Sequence, residues 1–388
     1  MLVAVNAHNQ HVYALDEQKN THQKFYCPQC NEPVFLKKGL IKQAHFTHFK
    51  NSNCAIFSEG ETEEHVLGKS LLYQWFTQQD IPCQLEAYLP NLKQRPDLLI
   101  WLDEQTPIAI EFQCSALSAQ RMIERTSGYN ENGYKVYWIL GHNYHLKDKI
   151  TKFQRLFVNE HKALGCYFLE LHVNLKKLTI HYQICEDGHS SRIACHYYQF
   201  KLTKKETNMK KIIQQLDFPS LNYIVEPKKR LVQEHYFLNK GRNYQVPEIV
   251  SFQKHIYKCG DSLISLPLEV YLPVRGQLVI KSLPYFWKYI FLEWIMNKSI
   301  GDVITKKDFM NKVKYMIKNE EVVFHLMPLI SNKYKIKCLE NYMVILNERG
   351  ILAMVSNSEW IVQKKPTRFK NEKEKIDQLS IFDQLFES

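Results

Sequence analysis

Short apolar runs separated by polar breaks extend through residues 61–141 and predict alternating helices and strands. Residues 61–76 carry apolar side chains at the spacing of an amphipathic helix, namely Val66, Leu67, Leu71, Trp75 and Phe76. The segments that follow predict strands at 83–89, 95–102 and 108–115, a helix capped by Ser118, and a buried strand at 135–140. The expected order is therefore helix, three strands, helix, strand.

The polar break at 103–107 contains a proline and predicts a hairpin turn between the second and third strands. If the turn centres near Glu104, antiparallel pairing sets Asp97 opposite Glu111. Opposed carboxylates repel unless a cation lies between them, and Mg²⁺ prefers carboxylates together with water and phosphate oxygens. Gln113 lies two residues beyond Glu111 and projects from the same face. The alternative is a surface hairpin with ordinary acidic residues.

Polar residues of the first helix also share one side. Glu61, Glu64, His65 and Lys69 follow three- and four-residue spacing, which places them on a common face.

The composition is that of a globular protein, with 45% hydrophobic and 23% charged residues in a chain of 388. The length predicts two or three domains. A formal net charge of +11 favours a polyanionic partner, with an acidic membrane surface as the lesser option. Neither a signal-like segment nor an apolar run of membrane-spanning length is evident, so we expect a cytoplasmic protein. The 10 cysteines are then cytosolic thiols or metal ligands.

A metal-binding pattern stands near the N-terminus, in a module predicted to span 1–58. Cys27 and Cys30 form a Cys-x2-Cys pair, followed by His45, His48 and Cys54. Zinc prefers four such ligands, and two short loops that each supply a pair are its usual arrangement. We expect structural Zn²⁺ on Cys27, Cys30, His48 and one of His45 or Cys54. The alternative is a reduced cysteine pair beside packed histidines.

Further elements follow the central region. A basic helix is expected at 150–160, strands at 167–173, 178–183 and 194–202, and a charged helix from 204 to 216 as a domain junction. Beyond it, helical patterns at 283–297, 306–318 and 337–348 precede a hairpin around 356–358. Three helices and a hairpin suggest a winged-helix-like DNA-binding module, and a generic helical domain is the alternative.

The C-terminus is predicted to be a charged, solvated linker at 364–377 followed by an apolar cluster. That cluster is Gln378, Leu379, Ser380, Ile381 and Phe382, which is similar to the motif by which bacterial proteins bind the DNA polymerase sliding clamp. The other possibility is that the cluster docks on its own protein.

The central region resembles the PD-(D/E)xK nuclease core. The segments EGETEEHVLGK, RPDLLI, IEFQCSALS, ERTSGY and GYKVYWILG together resemble the competence protein CoiA family, whose members are associated with processing and recombination of incoming DNA. The resemblance departs from the general nuclease pattern at Gln113, where most such enzymes carry lysine.

The resemblance implies a metal-dependent nuclease, with Mg²⁺ or Mn²⁺ held by Asp97, Glu111 and the Phe112 carbonyl. Glu64 or Glu61 would complete the metal shell, and His65, Lys69 and Gln113 would position water or phosphate. The family's Arg-x3-Tyr pattern falls on Arg125 and Tyr129, which implies a phosphate contact for the arginine and a supporting role for the tyrosine.

The sequence therefore predicts a mixed α/β protein with a restriction-endonuclease-like core at 59–203. A zinc-ribbon-like module at 1–58 precedes it, and a mainly helical domain at 204–363 and a tail at 364–388 follow. The favoured function is a DNA nuclease acting in competence and recombination. The alternative is a non-catalytic DNA-binding factor that works with recombination proteins and is tethered to the clamp. A protease or deaminase built on the Cys and His residues is less favoured, because no catalytic acid accompanies them.

Overall fold

The structure is a computed structural model that describes residues 1–17, 23–39, 43–49, 54, 62–102, 106–203 and 227–383. For the helical residues 227–231 and 379–383 only the backbone is described. The architecture is mixed α/β.

The N-terminal module is a small antiparallel sheet. Its strands are β1 (Val3–Asn6), β2 (His11–Tyr13), β3 (Phe25–Tyr26), β4 (Pro33–Lys37) and β5 (His45–His48), in the order β2-β1-β3-β4-β5. Phe25, Val34 and Phe46 are buried between its strands and form the centre of a separate small core. So small a core buries little apolar surface, which is why a metal would add to its stability.

The central domain has one large mixed sheet. Its first elements are α1 (Glu63–Thr77), β6 (Cys83–Leu85), β7 (Leu98–Trp101), β8 (Pro107–Gln113), α2 (Ala119–Glu131) and β9 (Lys135–Leu140). They are followed by α3 (Lys152–Arg155), β10 (Asn159–His161), β11 (Gly165–His172), β12 (Lys177–Glu186) and β13 (Ile193–Lys201). The strand order is β13-β12-β11-β9-β8-β7-β6, with β10 paired to β11. The predicted order of helix, three strands, helix, strand is confirmed.

The hairpin has the predicted register. Leu98 pairs with Ile110 and Leu99 with Ala109, so the next pair outward is Asp97 and Glu111. The β7 strand begins one residue after Asp97, and the aspartate therefore lies at the open end of the hairpin. The predicted cap of α2 is also confirmed, because the Ser118 hydroxyl accepts the Arg121 backbone N–H at 3.1 Å.

The helix predicted at 150–160 is wrong in its second half. The helix α3 begins at the Thr151–Gln154 capping box and is only one turn long. Residues Asn159–His161 instead pair with β11 as strand β10. Arg155 is buried and ion-paired with Glu186, with Nη2 at 2.6 Å from Oε2, so the pattern of basic residues did not mark a solvent-facing helix.

The C-terminal domain contains α4 (Pro227–Asn243), α5 (Pro247–Lys258), α6 (Pro284–Met296), β14 (Val303–Thr305), α7 (Lys306–Lys318), α8 (Asn332–Glu348), β15 (Leu352–Ser356) and β16 (Glu359–Val362). Strand β16 lies between β14 and β15 in a three-stranded sheet. A strand thus lies between the first two of three helices, and a hairpin follows them; the winged-helix-like module stays a prediction. The charged helix predicted at 204–216 lies outside the described residues.

One hydrophobic core joins this domain to the central one. It includes Trp138 and Phe168 of the large sheet together with Trp287 and Tyr342 of the C-terminal helices. Polar contacts cross the same boundary, since Arg155 Nη1 donates to the Leu278 carbonyl at 2.9 Å.

The end of the chain differs from the predicted solvated linker. Helix α9 (Glu372–Asp383) follows Phe369, which is 3% exposed, and contains Lys375, which is 1% exposed. Lys375 Nζ lies 5.3 Å from the Tyr271 ring centroid and 5.5 Å from that of Phe369. The segment with alternating Lys and Glu therefore packs against the C-terminal domain. Within the part of the chain that the structure describes, every helix is too short or too polar to cross a bilayer.

Candidate nuclease-like active site

Asp97 is held at the open end of the hairpin by three partners. Its Oδ2 accepts the Phe112 backbone N–H at 2.8 Å and lies 3.1 Å from His65 Nε2, while its Oδ1 lies 3.8 Å from Lys69 Nζ. Burial opposes ionisation, but His65, Lys69 and the Phe112 amide hold the pKa of Asp97 well below its usual range. These contacts favour the carboxylate form of Asp97 at the end of the hairpin.

Glu111 is 2% exposed and has partners that the hairpin alone did not reveal. Arg125 Nη2 and the Tyr129 hydroxyl, the latter at 2.5 Å, both donate to Glu111 Oε1. Burial raises the pKa of Glu111 to about 7, although the Arg125 guanidinium favours the carboxylate. Neither hydrogen bond uses Oε2, so that oxygen keeps its lone pairs.

Arg125 and Tyr129 thus lie close to the predicted carboxylate rather than on the surface. They occupy one face of α2, four residues apart, and that face packs on β9. The Arg125 guanidinium carbon lies 5.5 Å from the Trp138 ring centroid. The expected phosphate contact of Arg125 requires that it leave or share Glu111.

Other predicted residues surround the hairpin without joining its carboxylates. The Gln113 amide donates to the Ser115 carbonyl at 2.8 Å. Glu64 Oε1 accepts the His142 backbone N–H at 2.7 Å, so it ties α1 to the turn after β9 instead of meeting Asp97. Glu61 lies outside the described residues.

Lys69 is buried, although its spacing predicts a place on the polar face of α1. Its Nζ lies 2.5 Å from Glu86 Oε1, and both side chains are 1% exposed. Glu86 Oε2 also accepts the backbone N–H groups of Leu2 and Val3 at 3.0 and 3.3 Å. Glu86 was not among the predicted site residues, although a lone acid within the apolar segment predicted as a strand at 83–89 was a usable signal; in the structure it lies just after β6. The pair joins α1 to the N-terminal strand β1.

The N-terminal thiols and imidazoles also converge. Ligand atoms of Cys27, Cys30, His48 and Cys54 all lie within 4.8 Å of one another, and we call these residues the thiol–imidazole cluster. Cys30 Sγ is 3.3 Å from His48 Nε2. His45 is not a member, since its Nδ1 bonds the Gln43 carbonyl at 2.9 Å. Of the two alternatives for the fourth position, the structure brings Cys54 to the cluster.

The fold and the hairpin together define a protein with a nuclease-like domain, in which two carboxylates lie side by side at the open end of the hairpin. Comparison with known proteins agrees: residues 61–217 match the family model "Competence protein CoiA, nuclease-like domain". Residues 7–57 and 228–376 match the N-terminal and C-terminal domains of the same family. The chain belongs to the competence protein CoiA family.

A relative from Bacillus subtilis (strain 168), named competence protein CoiA, is 26% identical over 370 residues. The similar region covers 90% of this chain and 93% of the relative. No solved structure shows significant similarity to the chain. A role in competence follows from the family.

Proposed function

We propose that the protein is a metal-dependent DNA nuclease that processes DNA during competence and recombination. The observation that carries the proposal is the hairpin register, which sets Asp97 and Glu111 side by side within a helix, three-strand, helix, strand core. The formal charge of +11 suits a DNA substrate.

The donor set fits Mg²⁺ or Mn²⁺. Asp97 Oδ1 and Glu111 Oε2 are hard oxygen ligands, and neither is occupied by a hydrogen bond described above. The Phe112 carbonyl is the third proposed ligand, because the Phe112 amide is already fixed against Asp97. A bound divalent ion would lower the pKa of its water and stabilise the charge that builds on a phosphodiester.

Positive charge near Asp97 comes from the first helix, whereas Glu111 has Arg125 of α2 as its partner. Gln113 lacks the charge of the usual lysine, but Lys69 Nζ lies 3.8 Å from Asp97 Oδ1. We assign Lys69 an electrostatic role that acts through Asp97. We assign Gln113 a structural role, because its bond to the Ser115 carbonyl holds the end of β8 in place. His65 fixes the carboxylate plane of Asp97. Arg125 would contact a phosphate only after releasing Glu111.

The test is cleavage of labelled single-stranded and duplex DNA with Mg²⁺, Mn²⁺ or EDTA. Asp97→Asn and Glu111→Gln keep side-chain volume and remove the charge that holds the metal. Both should lose at least about 100-fold in rate, the loss typical of removing a key electrostatic group. Glu131→Gln is the matched control, because Glu131 is an exposed acid at the end of α2. Metal-dependent products that persist in both site variants would refute the assignment.

A specific contact favours a second candidate, a non-catalytic DNA-binding recruitment factor. The buried pair of Arg125 and Glu111 already satisfies one carboxylate without a metal. This candidate predicts DNA binding with no metal-dependent product. It also predicts clamp binding through residues 378–382, whose backbone is helical and whose side chains beyond Gln378 lie outside the description. Deleting residues 378–388 should then abolish capture by the purified clamp.

We also propose that the thiol–imidazole cluster binds structural Zn²⁺. Three sulfur donors and one imidazole form a set that zinc prefers, and Cys30 and His48 already lie at contact distance. Such a metal would stabilise a module whose own core is small.

A further inference from the structure

A second group of polar side chains lies on the far side of β9 from the hairpin. His145 follows the turn after β9, while Glu170 and His172 lie two residues apart on β11 and so share a face. Their ligand atoms all lie within 4.8 Å of one another. The rings of His145 and His172 have centroids 4.1 Å apart. We call these three residues the histidine cluster.

The cluster is held in place by the surrounding chain. Glu170 is 2% exposed; its Oε1 accepts the Leu146 backbone N–H, and its Oε2 is 2.9 Å from His181 Nε2. His145 Nε2 lies 3.3 Å from the Leu171 carbonyl oxygen. A carbonyl oxygen only accepts, so Nε2 carries the proton and the lone pair of Nδ1 is left for a ligand. Orientation by a backbone carbonyl is the usual support of a metal-binding histidine.

The cluster opens on one side to a cleft of about 570 Å³ lined by Glu64, His142, His145 and His172. A trio in the C-terminal domain is bonded internally. His255 Nε2 lies 3.1 Å from Glu293 Oε2, and Cys259 Sγ donates to Glu293 Oε1 at 3.2 Å, so its members satisfy one another. The histidine cluster instead has one histidine oriented by a backbone carbonyl and a cleft beside it.

We propose that His145, Glu170 and His172 bind a divalent transition-metal ion of the zinc class, with an open coordination position facing the cleft. Two imidazoles and one carboxylate suit zinc or cobalt better than magnesium, which prefers oxygen alone. Three protein ligands with one free position are typical of sites whose metal binds water or substrate. The free position lies beside the turn that Glu64 ties to α1, and would take an anionic oxygen such as that of a phosphate.

The test is titration of the purified full-length protein, as isolated, with Co²⁺ followed by absorption. Imidazole and carboxylate ligands give visible bands alone, whereas the thiol–imidazole cluster would add intense thiolate-to-metal bands in the near ultraviolet. We expect visible bands that saturate at one equivalent. His172→Ala and Glu170→Gln should weaken Co²⁺ binding by at least about 100-fold, because each removes a ligand.

Three controls make the outcome decisive. His8→Ala removes an exposed imidazole elsewhere and should leave the titration unchanged. Asp97→Asn should also leave it unchanged, which separates this site from the proposed nuclease metal. Circular dichroism identifies a misfolded variant; if His172→Ala misfolds, His145→Gln replaces it. Wild-type affinity in folded His172→Ala or Glu170→Gln, or bands of thiolate type only, would overturn the proposal.

Discussion

The buried ion pair between Lys69 and Glu86 gives the sharpest prediction about stability. In Lys69→Met the stem keeps its length while the charge disappears from a site where both side chains are 1% exposed. Breaking a buried pair by removing one partner costs about 3–5 kcal/mol, because the other charge stays buried. In this variant Glu86 still accepts the backbone N–H groups of Leu2 and Val3, and Arg95 Nη1 lies 3.8 Å from Glu86 Oε2. These contacts place the expected cost at the lower end, about 3 kcal/mol.

Thermal and urea unfolding of the full chain measure this cost. A loss of about 3 kcal/mol corresponds to roughly 6–12 °C in Tm for a domain of this size. The double variant Lys69→Met, Glu86→Gln should recover part of the loss, because no unpaired charge remains. Lys135→Met, at an exposed lysine that opens β9, should stay within about 0.5 kcal/mol of wild type.

A different result is expected if Lys69 contacts DNA instead of stabilising the fold. In that case Lys69→Met would leave the free energy of unfolding within about 1 kcal/mol of wild type, and DNA affinity would fall with a shallower salt dependence. That outcome would refute the structural role of the pair.

Three further results are expected from other parts of the molecule. Burial lowers the pKa of Lys375 from 10.5 to about 7. Burying the charged lysine therefore lowers the free energy of unfolding, fully below about pH 7 and no longer above about pH 10.5, where the amine is neutral in both states. Lys375→Met should raise the free energy of unfolding by a few kcal/mol at pH 6 and hardly at pH 10, as urea melts at both values will show. A Cβ on Gly68 would overlap the Phe112 ring, so Gly68→Ala should cost about 1–3 kcal/mol in the same melts. Cys30→Ser should remove about one equivalent of zinc by elemental analysis and lower the Tm, whereas Cys83→Ser should leave the zinc content unchanged.

The sequence was most informative where neighbouring residues determine structure. The hairpin register followed from two apolar runs and a proline-containing turn, and Ser118 capped α2 as expected. Convergence of Cys27, Cys30 and His48 also followed from short spacings that bring paired loops together.

Partners that are distant in sequence were not predictable in the same way. Lys69 has the position of a surface residue in its helix, and its burial depends on Glu86, which is 17 residues away and lies just after β6. Lys375 stands in a run of charges, but the Leu263 carbonyl and two aromatic rings surround it. His145 gained a carboxylate neighbour only because the turn after β9 folds against β11. In each case the hydrophobic core brings together residues that no local pattern links.

If Asp97 and Glu111 together hold the divalent cation that supports DNA cleavage, replacing either carboxylate should change the metal preference of the reaction. In Asp97→Cys a soft thiolate replaces a hard carboxylate, so cleavage with Mg²⁺ should be lost and Cd²⁺ should restore part of it. The same switch is expected for Glu111→Cys, whereas Glu131→Cys should keep the wild-type metal preference. If cleavage by both site variants followed the wild-type preference for Mg²⁺ over Cd²⁺, neither carboxylate would be a metal ligand, and the proposed metal site at the hairpin would be wrong.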